Sequence, residues 1–194
     1  MNRTGSLARK TGETDIFVSL DLDGEGVSQV DTGIGFFDHM LSAVAKHGLM
    51  DLTVRVQGDL AVDGHHTVED TGIVFGAALA QALGDKKGIR RVGSCFLPMD
   101  ESLAFCALDI SGRPYLAFDA AFPAEMCGGY ASELTEEFFR AVSVSSGITL
   151  HLKAEGRNTH HMIEALYKAF ARALRDAAAL DPCVKGVPST KGVL

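Results

Sequence analysis

Apolar and polar residues alternate along Glu13-Thr14-Asp15-Ile16-Phe17-Val18-Ser19-Leu20-Asp21-Leu22-Asp23-Gly24, the period of a strand with one buried face that ends at a turn glycine. The texture returns at Glu101-Ser102-Leu103-Ala104-Phe105-Cys106-Ala107-Leu108-Asp109-Ile110-Ser111-Gly112. Glu, Phe, Leu, Asp and Gly coincide at an offset of 88 (Glu13 to Glu101), and the same offset sets Gly5-Ser6 on Gly93-Ser94. The chain therefore reads as duplicated. In the first half a second strand leads into the Gly-rich turn Asp31-Thr32-Gly33-Ile34-Gly35, which opens a helix over 36–47; its counterpart starts near Glu136-Glu137-Phe138-Phe139. An alternating strand over 52–57 is answered by one over 148–153, and each half closes with a further helix. The later of these runs through Leu174 and Ala178 and ends before Asp181-Pro182.

Each half is thus predicted as β-β-β-α-β-α, an α+β layer whose sheet is covered by helices on one face. Residues 1–87 make the first half, 88–180 the second, and 181–194 a C-terminal tail, with the polar turn Gly84-Asp85-Lys86-Lys87-Gly88 at the boundary. Open sheet edges and a helix-free face must be buried against the other half or another subunit, which points to a homo-oligomer. A monomer with a solvated antiparallel face is also allowed, so the pattern does not set the number of subunits.

The chemistry concentrates in a motif that occurs twice, His65-His66-Thr67-Val68-Glu69 and His160-His161-Met162-Ile163-Glu164. Setting Glu69 on Glu164 (an offset of 95) also sets Phe75 on Phe170, Ala78 on Ala173 and Leu79 on Leu174, so a chance surface string is a poor account of the pair. On a helix the first histidine and the glutamate are an i, i+4 pair, which makes one face a metal-binding surface. Adjacent histidines point roughly 100° apart around the axis, so two metal ions are expected, with each His-His pair split between them. His39, His47 and His151 are further candidates; His151 is out of phase with Leu150 and Leu152 and so lies on the polar face of its strand. Away from a dinuclear site each of these three reads as a structural histidine. Imidazole with carboxylate suits Mn²⁺, Fe²⁺, Zn²⁺ or Ni²⁺, and without a thiolate it argues against a closed structural zinc site. About four protein ligands per ion would leave octahedral positions open for substrate. Glu69 and Glu164 could each be ligand or general base.

Composition narrows the partners. With 194 residues and 46% hydrophobic content the chain can bury a real core, and a net charge of −7 argues against a nucleic-acid surface while leaving room for a local anion pocket. The four cysteines are widely spaced and are expected to be free thiols in a reducing compartment. The N-terminal stretch 1–14 is polar and carries no apolar h-region, and nothing later resembles a spanning run; the expected location is cytoplasmic, with no membrane partner. Arg90-Arg91, Arg113, Lys168 one turn past Glu164, and Ser189-Thr190-Lys191 could together hold the phosphate of a small substrate.

Gly33-Ile34-Gly35-Phe36-Phe37-Asp38-His39-Met40-Leu41, the stretch Asp63 to Asp70, Asp109-Ile110-Ser111-Gly112-Arg113-Pro114, the second His-His-x-x-Glu, Lys168-Ala169-Phe170-Ala171-Arg172-Ala173-Leu174-Arg175 and Pro188-Ser189-Thr190-Lys191-Gly192-Val193-Leu194 together closely resemble the imidazoleglycerol-phosphate dehydratases of histidine biosynthesis. The resemblance runs from about Arg9 to the last residue, and includes no phosphatase domain. It implies a duplicated fold similar to the second domain of ribosomal protein S5, and a lyase with two Mn²⁺ per subunit, other divalent transition metals being allowed by the ligand types. It also implies a shell of about 24 subunits (a 24-mer) with active sites between subunits. By that resemblance the metal ligands are His39, His65, His66, Glu69, His151, His160, His161 and Glu164, and the substrate contacts are Glu13, His47, Arg91, Arg113, Lys168, Ser189 and Lys191. Two features depart from the family pattern: the loop from His151 to His160 is a residue short, and Cys183 stands where an arginine is usual.

Dehydrating imidazoleglycerol phosphate requires taking a proton from a carbon with no adjacent carbonyl, so the imidazole ring must accept the electrons; metal ions on its nitrogens would favour imidazolate and then a diazafulvene-like intermediate. Glu164, with Glu13 as second choice, is expected to carry the protons. Two other readings use the same motif: a metal-dependent hydrolase, which predicts cleavage of an ester or amide, and a non-catalytic metal scaffold, which predicts closed coordination.

Overall fold

The alternation along the chain becomes two four-stranded sheets in the computed structural model, which describes residues 3–194; Met1 and Asn2, the start of the polar N-terminal stretch, lie outside the described residues. The first half contains β1 (Thr4–Lys10), β2 (Thr14–Asp21), β3 (Ser28–Asp31), α1 (Gly35–Gly48), β4 (Asp51–Gly58) and α2 (His65–Leu83). Its strands lie in the order β1-β2-β4-β3, antiparallel except for the β3–β4 pair. The second half repeats this with β5 (Val92–Met99), β6 (Ser102–Asp109), β7 (Tyr115–Asp119), α3 (Leu134–Ser146), β10 (Thr149–Glu155) and α4 (Thr159–Ala178), in the sheet order β5-β6-β10-β7. The fold is the expected α+β duplication of a β-β-β-α-β-α half.

Three details differ from the sequence reading. Helix α3 begins at Leu134 rather than near Glu136, because buried Leu134 and Thr135 already continue its apolar face. Strand β10 begins at Thr149 and runs on to Glu155, its register carried by seven paired positions along β6. Between β7 and α3 a short hairpin, β8 (Met126–Cys127) and β9 (Tyr130–Ala131), turns through Gly128-Gly129 and has no counterpart in the first half. Two-residue strands are too short to show any alternation.

The halves meet through their helices. Helix α2 lies between the first sheet and α3, and α4 lies between the second sheet and α1. The resulting order, sheet, helices, helices, sheet, encloses one core that includes Val54, Phe75, Phe138, Leu152 and Phe170. Burying each such Phe or Leu contributes about 1.5–3 kcal/mol. The repeated glycines sit where a strand crosses a helix. A Cβ on Gly5 would stand 1.9 Å from the Ala78 carbonyl oxygen, and one on Gly93 would stand 2.0 Å from that of Ala173. In both halves the first strand crosses its helix so closely that only glycine fits. Because the helices occupy the middle, the outer face of each sheet remains open. On the second sheet that face displays Val92, Phe96, Leu103 and Tyr115, with Phe96 70% exposed. No helix among the described residues is long and apolar enough to cross a membrane.

Candidate metal centre and active site

The contact between α1 and α4 builds the densest group of donors. Gly33 takes a left-handed turn (φ 78°), and Asp38 reaches back to accept from the Thr32 backbone N–H at 2.8 Å and its hydroxyl at 2.6 Å. This closes the first turn of α1 and aims the next residue, His39, at α4. On α4 the side chain of Asn158 caps the helix by accepting from the His161 N–H. Spacing of four residues then stacks His160, Glu164 and Lys168 on one face.

Glu164 is the hub. Its Oε2 lies 3.1 Å from His160 Nε2 and 3.3 Å from His39 Nε2, while Oε1 meets Lys168 Nζ at 2.5 Å. The carboxylate is buried, but both histidine rings are about half exposed, so the group opens to the surface. Burial pushes the Glu164 carboxyl up, but Lys168 and His39 outweigh it and hold the group below its ordinary range. His39, His160 and Glu164 bring three ligand atoms within 4.8 Å of one another, the one such group among the described residues. Two imidazole nitrogens and a carboxylate oxygen, with a cation kept on the opposite oxygen, are a donor set that fits a divalent transition metal. Phe36 meets the His160 ring edge-on at 5.0 Å and limits how that ring can tilt.

The other predicted donors form separate groups. His65 faces Glu69 at 3.5 Å, both well exposed, at a helix start where Asp63 accepts from the His65 N–H. His66 Nδ1 lies 2.9 Å from Asp59, and its Nε2 points towards Glu13 at 3.7 Å. His161 Nδ1 lies 2.8 Å from Glu101, with Asp100 3.8 Å from its Nε2. These carboxylates raise the affinity of both rings for a proton, Asp59 being the main cause at His66 and Glu101 at His161. The Glu101 carboxyl is in turn held down at about 2, chiefly by its bond to His161. His151 stands on the open face of the second sheet beside Tyr115 and belongs to no cluster of three donors among the described residues.

The basic residues divide in two. His47, two turns beyond His39 on α1, lies with Lys168 and Arg172 in a cleft against β5. Burial first, and then these two cations, lower its proton affinity. Arg91 (φ 76°) forms a fork on Asp109 at 2.6 and 2.9 Å, with Arg113 3.8 Å from the same carboxylate. Arg91 also donates to the Pro188 carbonyl at 2.8 Å, which brings the tail carrying Ser189 and Lys191 to this second basic group. Asp59, Glu101 and Arg172 were not singled out by the sequence reading. Glu101 had a visible signal, since it occupies the duplicated position of Glu13; Asp59 had none, because its role depends on a loop outside the motif.

A sequence model of the family described as imidazoleglycerol-phosphate dehydratase matches residues 32–174. Among curated proteins of that description, one from Symbiobacterium thermophilum is 65% identical over 193 residues, covering 99% of this chain and 93% of the relative. Another from Acetivibrio thermocellus is 60% identical over 195 residues, covering both chains in full. Among solved structures, imidazoleglycerol-phosphate dehydratase from Staphylococcus aureus superposes with a TM-score of 0.83 at 41% identity, over 92% of this chain and 99% of that one. IGPD from Pyrococcus furiosus, in complex with (S)-C348, superposes with a TM-score of 0.84 at 34% identity, over 97% and 100%.

Proposed function

Because this chain belongs to the imidazoleglycerol-phosphate dehydratase family, a group of hydro-lyases in histidine biosynthesis, we propose that it carries out its dehydration at a dinuclear metal site shared between subunits. The observation that carries the proposal is the division of the donors. One complete three-atom group, His39, His160 and Glu164, lies on a single chain, while His65 with Glu69, His66, His161 and His151 present donors outward in separate places. Outward-facing partial sites are what a homo-oligomer would join, and the apolar outer face of the second sheet, which holds His151, offers a surface to join them. The metals proposed are two Mn²⁺ per subunit, and the assembly proposed is the 24-mer. His47 and Lys168, and separately Arg91, Arg113, Ser189 and Lys191, are assigned to the substrate and its phosphate.

The reaction expels hydroxide from the carbon attached to the imidazole ring, takes a proton from the next carbon, and returns a proton to the first carbon as the enol becomes the ketone. Substrate and product thus differ by one water. Bound divalent metal would polarise the ring nitrogens and so lower the cost of placing electrons in the ring. The two candidate carboxylates are placed very differently. Glu164 is buried and engaged by His39, His160 and Lys168, which suits a ligand. Glu13 is exposed and faces the Nε2 side of His66 at 3.7 Å, open to solvent and substrate. We therefore assign proton transfer to Glu13 and ligation to Glu164.

The test is turnover by metal-stripped protein with and without Mn²⁺, following ketone and metal content together. Ketone should return as about two Mn²⁺ per chain are taken up, and Glu13→Gln should keep both ions while losing about 10²-fold or more in rate. Turnover that ignores Mn²⁺ would reject the dinuclear reading, and near-normal turnover by Glu13→Gln would reject the assignment of the base.

A further inference from the structure

Each His-His-x-x-Glu copy holds its second histidine in the same way with a carboxylate from a different place in the chain. In the first half the ring nitrogen Nδ1 of His66 lies 2.9 Å from Oδ2 of Asp59, in the loop after β4. In the second half Nδ1 of His161 lies 2.8 Å from Oε2 of Glu101, in the β5–β6 turn. The histidines correspond under the duplication, but the carboxylates do not: the counterpart of Glu101 is Glu13. Two unrelated backbone positions have converged on the same atom of the same ring.

We infer that Asp59 and Glu101 are positioning residues, each accepting the Nδ1 proton of its histidine and thereby presenting Nε2 of His66 and of His161 as a metal ligand. A neutral imidazole has one donor and one acceptor nitrogen, so the group that takes the proton from one side decides which nitrogen can ligate. The surroundings of both carboxylates suit that task. Glu101 is built into its turn: Oε1 accepts from the Ser102 hydroxyl at 2.9 Å and from the backbone N–H groups of Asn158 at 2.9 Å and Arg157 at 3.2 Å. Those three bonds leave Oε2 for His161. Asp59 has a buried Oδ1 without a partner, so the His66 proton is the one hydrogen bond its carboxylate makes among the described residues. The other ring face fits as well, since Glu13 and Asp100 stand 3.7 and 3.8 Å from the two Nε2 atoms without closing on them.

The exchange of roles also explains why the duplication yields one free base. In the second half the turn glutamate is consumed in holding His161. In the first half Asp59 does that work, and Glu13, the equivalent glutamate, is left to move protons.

This inference rests on the metal-dependent reading above, and its test separates the two. In Glu101→Gln the amide oxygen remains the better partner for the Arg157 and Asn158 N–H groups, so the NH₂ group turns to His161 and forces its Nδ1 to accept. The proton then sits on Nε2 and blocks it. Expected results are a 10- to 100-fold weaker uptake of one of the two Mn²⁺ ions in titration, a reversed His161 tautomer in the ¹⁵N shifts of the metal-free protein, and an unchanged metal-free Tm. Asp59→Asn, acting on the other copy, should weaken one Mn²⁺ by a similar factor. Wild-type affinity for both ions in both variants would overturn the inference while leaving the metal reading intact, and so would weakened binding accompanied by a lowered metal-free Tm and an unreversed tautomer. Wild-type protein that takes up no Mn²⁺ would reject the metal reading, and this inference with it.

Discussion

At the scale of single residues, His47 shows how position sets chemistry. It is half-buried beside Lys168 and Arg172, and burial together with those cations keeps its proton affinity below the ordinary 6.5. In the folded protein it should titrate below 6.5 by NMR, and stability should fall as the pH drops through that range, because the unfolded chain binds the proton more readily. Inorganic phosphate bound in the cleft would add negative charge and raise the titration point; a midpoint indifferent to phosphate would remove His47 from the anion site. The residue types around the site were legible in the sequence, because i, i+4 spacing alone places His160, Glu164 and Lys168 in a row. Asp59 and Glu101 were not read, since they reach the histidines from turns that no helical period connects to the motif.

At the scale of elements, the duplication is carried by a strand crossing a helix at one glycine in each half. Gly93→Ala would drive a methyl against the Ala173 carbonyl, a backbone atom that cannot rotate away. The expected cost is about 1–3 kcal/mol, read as a lower urea midpoint at unchanged slope, and an unchanged midpoint would show that β5 and α4 can separate freely. The β-β-β-α-β-α order was legible because the strands β2, β4, β6 and β10 alternate and the two halves repeat at fixed offsets. The β8–β9 hairpin was not, as its pairing is fixed by Gly128-Gly129 and by packing of Tyr130 in the core rather than by any local period.

At the scale of the whole molecule, the helices of the two halves cover one another and leave the outer sheet faces open. Phe96 packs tilted against Phe105, ring centroids 4.7 Å apart, and is 70% exposed, an arrangement suited to an interface. Phe96→Asp should leave the far-UV circular dichroism unchanged and reduce the particle mass in light scattering, whereas an unchanged mass would place the contact on another surface. The alternation, the repeat offsets and the spacing of imidazole and carboxylate are local properties of the chain, and from them the sequence by itself determined the fold class and the duplication and supplied the donor types on which the proposed metal chemistry rests. Which donors from different elements meet was decided by the tertiary structure. His39 reaches Glu164 only because α1 packs on α4, and Asp59 and Glu101 reach their histidines only because separate loops are folded together; contacts between residues far apart in sequence depend on packing of the whole core, which no local period encodes.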